Sequence, residues 1–194
     1  GLYDTFPLDN KNHITLVNAI VYSYNHNVDF TGMTGQAESI LSKVNNHWLE
    51  DNLSLNYQKG GLTCSLVGEM KWRYAYSRRE NFSTIRTLDF NYGILGSYKF
   101  KFGLETGMDL KMFSRRGYSD PLINANDLIC NVYISKSFLK GKLAAKLEGY
   151  DMFHQLKSIN YEINGQGKTE TRFNAIPNYL MLHLIYKMNI SGKK

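Results

Sequence analysis

From Tyr98 to Met112 the chain keeps a two-residue period: Tyr98, Phe100, Phe102, Leu104, Met108, Leu110 and Met112 fall in one phase, and Lys99, Lys101, Glu105, Asp109 and Lys111 in the other. Successive side chains of an extended strand point to opposite faces, so this pattern describes a strand with one apolar and one charged face. A helix of the same sequence would scatter both classes around its circumference. The period therefore restricts the chain to β-structure here and fixes which residues must travel together.

The same separation recurs elsewhere. Leu128, Cys130, Val132 and Ile134 alternate with Asn131, Tyr133 and Ser135, and Leu143, Ala145 and Leu147 with Lys142, Lys146 and Glu148. Upstream, Leu66, Met70, Trp72, Tyr74 and Tyr76 oppose Ser65, Glu69, Lys71 and Arg73. Leu88, Phe90, Tyr92 and Ile94 oppose Thr87, Asp89 and Asn91, and Leu53, Leu55 and Tyr57 oppose Asn52, Ser54 and Asn56. A first strand is expected over residues 13–28, where alternation is poor. A last is expected over residues 178–190, with Leu180, Leu182, Leu184, Tyr186 and Met188 against His183, Lys187 and Asn189. With 14 tyrosines, 10 phenylalanines and only 3 prolines, the composition favours strands throughout. The expectation is an all-β fold: an antiparallel up-and-down meander of about eight strands, forming one domain over residues 1–194.

The connections alternate between short and long. Lys59-Gly60-Gly61, the Leu95-Gly96-Ser97 region and Leu139-Lys140-Gly141 are expected as tight hairpin turns, glycine supplying the positive φ such turns need. Residues 29–44, 78–83, 114–126 and 153–177 are expected as longer loops. Within the last of these, Asn164-Gly165 and Gly167 mark the tip of a small hairpin joining 159–163 to 168–172. A meander of this kind gathers its tight turns at one end and its long loops at the other.

Alternation does not say which face points outward. A soluble, lipocalin-like barrel would enclose the apolar phase around a small apolar ligand, whereas a membrane barrel would turn it to lipid. Three features favour the membrane arrangement. The strands reach or exceed the roughly 9 to 11 tilted residues that cross a bilayer. Aromatic residues collect in two sets, Trp72, Tyr74 and Tyr76 near a long loop and Tyr57, Tyr92, Tyr98 and Phe100 near the tight turns. Short turns at one end and long loops at the other are what periplasmic and extracellular connections look like. An even strand number would leave both termini on the periplasmic side. Glu69, Lys71, Arg73, Asp89, Lys99, Lys101, Glu105, Asp109, Lys111, Lys146 and Glu148 would then line the interior as a network of mixed sign. No apolar run approaches the roughly 20 residues of a membrane-spanning helix; the longest, Tyr179 to Tyr186, is broken by His183. No signal-peptide pattern opens the sequence, so the natural chain is expected to begin upstream of Gly1.

Ser114 to Asp120 (SRRGYSD), NDLICNVYISKSFLKGKL, YDMFHQL and YLMLHLIYKMNISGKK resemble the carboxy-terminal strands of outer-membrane β-barrel proteins related to TonB-dependent receptors, in the Bacteroidetes style. The resemblance covers about Phe113 to Lys194. It implies a Gram-negative outer-membrane location, a role in nutrient uptake, outer-membrane lipid and lipopolysaccharide as surroundings, and a nutrient ligand bound through a larger parent barrel. The chain passes Ile190 and stops at Lys194, instead of ending on the terminal aromatic common to bacterial barrels.

No catalytic, cofactor-binding or metal-binding residue is assigned, and the chain is not expected to be an enzyme. His13, His26, His47, His154 and His183 are dispersed, Cys64 and Cys130 fall in no metal-ligand spacing, and GMTGQAES lacks the lysine of a phosphate-binding loop. Asp151 and His154 are the residues a rim-located barrel enzyme would use. Arg78, Arg79, Arg115 and Arg116 lie on the long-loop side, where paired guanidiniums could meet lipopolysaccharide phosphates or simply be solvated. The net charge of +6 is spread singly along strands, with no nucleic-acid-binding pattern.

Overall fold

The computed structural model describes the whole chain except residues 12, 33–38, 80–81, 120, 122, 156–158, 164–167, 173–175, 177 and 189–194; of residues 29–32, 39–40, 159–163, 168–172 only the backbone is described. Eleven strands follow in order: β1 (Leu2–Pro7), β2 (Ile14–Gly32), β3 (Ser39–Lys59), β4 (Leu62–Ser77), β5 (Ile85–Lys99), β6 (Leu104–Arg116), β7 (Asn126–Phe138), β8 (Leu143–Tyr150), β9 (Ile159–Ile163), β10 (Lys168–Arg172) and β11 (Tyr179–Tyr186). Nine form one antiparallel meander in the order β1-β2-β3-β4-β5-β6-β7-β8-β11, and β9 pairs with β10 in a separate hairpin. The all-β meander and the hairpin inserted before the last strand are as the sequence predicts. The sheet is open, with β1 and β11 at its edges.

Three expectations are corrected. The meander of about eight strands is present with nine, the additional one being β1, which has only 6 residues and ends on Pro7. Proline has no N–H to donate and is tolerated on an edge strand, which β1 is. The odd number makes β1 and β11 run in the same direction, both towards the tight turns, so the even-number placement of the termini does not hold. Second, the long loop expected over 29–44 is mostly strand, since β2 runs for 19 residues and β3 for 21. Polar side chains there obscured the period without preventing the ladder, which pairs Val28 with Lys43 and Gly32 with Ser39. Third, Leu95-Gly96-Ser97 is not a turn. Gly96 sits inside β5 opposite Cys64 and Met108, and the chain reverses at Phe100–Gly103, where Gly103 has φ 80°. Tyr92 is accordingly mid-strand, between Gly68 and Met112, and Lys101 lies in the turn.

The other two tight turns stand where expected. Gly60, with φ 60°, opens the two-residue connection between β3 and β4, as a glycine in the first central position of a type II′ turn does. Leu139, Lys140 and Gly141 all take positive φ between β7 and β8.

Register determines what each face carries. One continuous row of directly opposed residues runs Ile14, Tyr57, Cys64, Gly96, Met108, Val132, Gly149, Leu180. A neighbouring row on the same face runs Leu16, Leu55, Leu66, Ile94, Leu110, Cys130. Leucine, isoleucine, valine, methionine and aromatic residues dominate this face in every strand of the sheet. Its exceptions fall in two groups: Lys43, Arg86, Arg116 and Lys136 towards the strand ends, and, mid-strand near β1, Asp51, which accepts a hydrogen bond from Asn18 Nδ2 at 2.7 Å, with Asp4 opposite Asn18. The other face carries the charged and amide side chains.

The apolar face is the outer one. Leu66 is 50% exposed, Ile94 43% and Leu182 63%. Among the described residues only Val44, Ala75, Ile123, Ile129 and Cys130 are buried apolar residues, far short of the core that a water-soluble chain this long builds. Ser42, Asn46, Thr87 and Asp127, on the polar face near the long-loop end, are buried with them.

Candidate functional site

The polar face is concave. Thr63 and Ser65 of β4 line the same hollow of about 360 Å³ as Asp109 and Tyr133 of β6 and β7 and Lys146 and Glu148 of β8. On a flat sheet, strands four positions apart would stand about 19 Å from one another. A shared hollow therefore needs the sheet to curl towards its charged side.

Every strand residue of the mixed-sign set predicted from the sequence lies on this face. Glu69 accepts a hydrogen bond from Asn91 Nδ2 at 2.8 Å, and Lys111 approaches Asp109 at 3.5 Å on its own strand. Lys146 Nζ lies 2.6 Å from Glu148 Oε1 and 4.6 Å from the centre of the Tyr133 ring. Tyr133 in turn donates to Glu105 Oε1 at 2.7 Å. The charges thus form short chains of opposite sign and hydrogen-bonded partners, which offset part of the cost of facing inward.

Some members of this network could not be read from the sequence. His183 Nε2 lies 2.8 Å from Glu148 Oε2, a close contact without the alignment of a hydrogen bond. The β9–β10 hairpin separates the two residues in sequence, and only the pairing of β11 with β8 makes them neighbours. Glu50 faces Lys71 at 3.9 Å across β3 and β4. Tyr118, from the connection between β6 and β7, reaches over the polar face and donates to both oxygens of Asp89 at 2.8 Å. Burial first, and then this bond to a carboxylate, push the Tyr118 phenol well above its ordinary value.

The residues flagged individually separate in space. Arg115 and Arg116 are adjacent in a strand and so point to opposite faces: Arg115 lines a polar hollow of about 180 Å³ with Glu69, Lys71 and Asp89. Arg116 lies on the apolar face, 5.8 Å from the Phe90 ring, and donates to Asn126 Oδ1 at 2.8 Å. They do not form a paired clamp. Arg79 stacks on Phe82 at 5.9 Å, and its neighbour Arg78 is exposed. Asp151 closes the turn after β8, its carboxylate accepting the Gln155 N–H at 3.1 Å, and His154 is exposed in the same turn. Cys64 and Cys130 are free thiols.

Aromatic rings border the apolar face at both ends. Towards the long loops, Tyr24, His47, Tyr74 and Arg86 form one row across β2 to β5. Ring centres there are 4.9 Å apart for Tyr24 and His47 and 6.0 Å for Trp72 and Tyr74, and the Arg86 guanidinium lies 5.2 Å from Tyr74. Towards the tight turns, Tyr98 and Phe100 meet edge to face at 4.6 Å, Phe100 and Phe102 lie tilted at 5.4 Å, and Lys136 caps Phe102 at 4.6 Å. On β5 the apolar stripe runs from Leu88 to Tyr98, about 33 Å along the strand.

Neither a protein-family model nor a curated protein nor a solved structure matches this chain.

Proposed function

We propose that this protein is a non-enzymatic β-barrel of the Gram-negative outer membrane, akin to the carboxy-terminal strands of TonB-dependent receptors and serving nutrient uptake. One observation carries the reading: a nine-stranded sheet that is apolar on its exposed face and charged on its concave face. Water would penalise that arrangement, whereas a bilayer rewards it. At a barrel tilt of about 40° the apolar stripe on β5 would stand about 25 Å high, the height of an outer-membrane barrel's lipid-facing band. A lipocalin-like barrel would hide Leu66 and Ile94, which here are exposed. The Asp51–Asn18 pair is the part of the face least suited to lipid.

The open edges β1 and β11 favour a second form of the same reading, in which these strands are an arc of a larger barrel completed by other strands. In either form the long loops would face outward and the tight turns the periplasm.

Membrane fractionation followed by detergent extraction tests the proposal. The expected result is a protein that needs detergent, integrates into lipid vesicles, and migrates faster on unheated than on heated denaturing gels. A monodisperse protein in plain buffer would overturn it.

A further inference from the structure

We infer that in the membrane β11 closes the sheet onto β2, with His183 beside Ser23, and that β1 stays outside this closure as a short flap on the lower part of the same β2 edge. The inference rests on the membrane-barrel reading and chooses the self-closed form over the arc.

The row of opposed residues that begins at Ile14, the first residue of β2, ends at Leu180, the second residue of β11. Ile14 is at the tight-turn end of its strand and Leu180 at the long-loop end of its own. Each strand is therefore displaced along its neighbour in one consistent direction, which is the shear a closed barrel requires. Bringing the middle of β11 level with the middle of β2 puts His183 opposite Ser23 and Leu180 opposite His26. That is a shear of about 12 residues over eight strands. An offset of about 40 Å along the strands over a circumference of about 38 Å gives a tilt of about 45°, the upper end of the usual range for barrels.

Face continuity makes the same choice. Pairing Ser23 with His183 sets Tyr22 and Tyr24 against Leu184 and Leu182 on the apolar face, and Asn25 and Asn27 against Met181 and Tyr179 on the polar one. A slip of one residue would turn Leu182 and Leu184 inward. The edge is also free over most of the length that is needed. β1 pairs only with Thr15 to Ile20, and among the described residues nothing pairs with that side of β2 from Val21 to Val28. The register places Ile185 against Val21 and Tyr186 against Ile20, so only the first residues of β1, where Leu2 stands against Ile20, have to give way at the join. β1 itself runs in the same direction as β11 and could meet it only in parallel, unlike every ladder in the sheet.

Disulfide trapping in the full chain, reconstituted in lipid vesicles, tests the register. In a background of Cys64→Ser and Cys130→Ala, the pair Ser23→Cys with His183→Cys is expected to oxidise within one chain. Val21→Cys with His183→Cys should oxidise at least several-fold less. Spin labels at Tyr22 and Leu184 give an independent readout that needs no bond. Closure puts their backbones about 5 Å apart and broadens the spectrum strongly, whereas on a flat, open sheet seven strand spacings across and about 12 residues along would separate them by about 50 Å. Disulfides found only between two chains, or unbroadened spectra, in a protein that still integrates into vesicles would overturn the closure and leave the membrane reading standing. A protein that stays soluble without detergent would overturn both.

Discussion

The ring of Tyr133 lies across Gly107, the residue directly opposite it in the β6–β7 ladder, so that a methyl group on Gly107 would run into the ring. Aromatic cover of a glycine across a strand pair fixes the ring's direction, and here it delivers the hydroxyl to Glu105. Because the ring is a movable side chain, Gly107→Ala should displace it and cost about 1 kcal/mol, mainly the lost Tyr133–Glu105 hydrogen bond. Gly93 presents a harder case. A methyl group there meets the Leu110 carbonyl and the Lys111 Cα, both backbone. Gly93→Ala should therefore cost about 2 to 3 kcal/mol, and Gly68→Ala, with nothing near it, no more than about 0.5 kcal/mol. Urea unfolding of the three variants in lipid vesicles checks the order, and equal effects at Gly93 and Gly68 would refute it.

A lysine at Leu66 separates a lipid-facing sheet from a solvated one. Leu66 stands between Leu55 and Ile94 in the middle of the apolar rows. Facing lipid, Leu66→Lys should weaken folding into vesicles by about 2 to 4 kcal/mol. Facing water, the same substitution would change stability by no more than about 0.5 kcal/mol.

Tyr118, the one tyrosine that lies outside the strands, should ionise late. Its phenol is raised by burial and by Asp89, so the folded state favours the protonated form. Its stabilising effect is fully present below the unfolded value, about pH 10, and fades as pH rises from there towards the folded value. Ultraviolet titration of the Tyr118→Phe variant should show one late-ionising tyrosine fewer than the wild type. An unchanged titration curve in that variant counts against the Tyr118–Asp89 bond.

At the opposite end, Asp9 clips the β1–β2 turn by accepting the Ile14 N–H at 2.9 Å, with His13 Nδ1 at 3.4 Å. The Ile14 bond holds the Asp9 carboxyl below its ordinary value. The clip is therefore intact above about pH 4 and is lost as pH falls through the lower folded value. Amide exchange at Ile14 should accelerate over that acidic window in the wild type, and should already be fast at neutral pH in Asp9→Ala. Slow exchange in the variant would show that the carboxylate does not hold the turn.

The period of two put the residues it singled out in β4 to β8, in β11 and at the end of β3 on their observed faces, because side-chain direction in an extended chain depends only on parity; it did not sort β1, β2 or the rest of β3. It could not place every turn. Through Tyr98, Phe100 and Phe102 the alternation continues without interruption while the chain reverses at Phe100–Gly103, so the glycine at Gly96 drew the expected reversal too early, whereas Gly103 is the one with positive φ. Nor did it find the full length of β2 and β3, whose asparagines, serines and histidines weaken the contrast that reveals a strand but still hydrogen-bond as a ladder.

What the sequence determined by itself was the division of the chain into an apolar and a charged set, since that follows from covalent geometry and residue order. The tertiary structure decided which charges meet. Glu148 and His183, or Asp89 and Tyr118, become partners only when strand pairing and loop return bring distant segments together. It also decided that the charged set lies on the concave side, because curvature belongs to the whole sheet and no single strand encodes it.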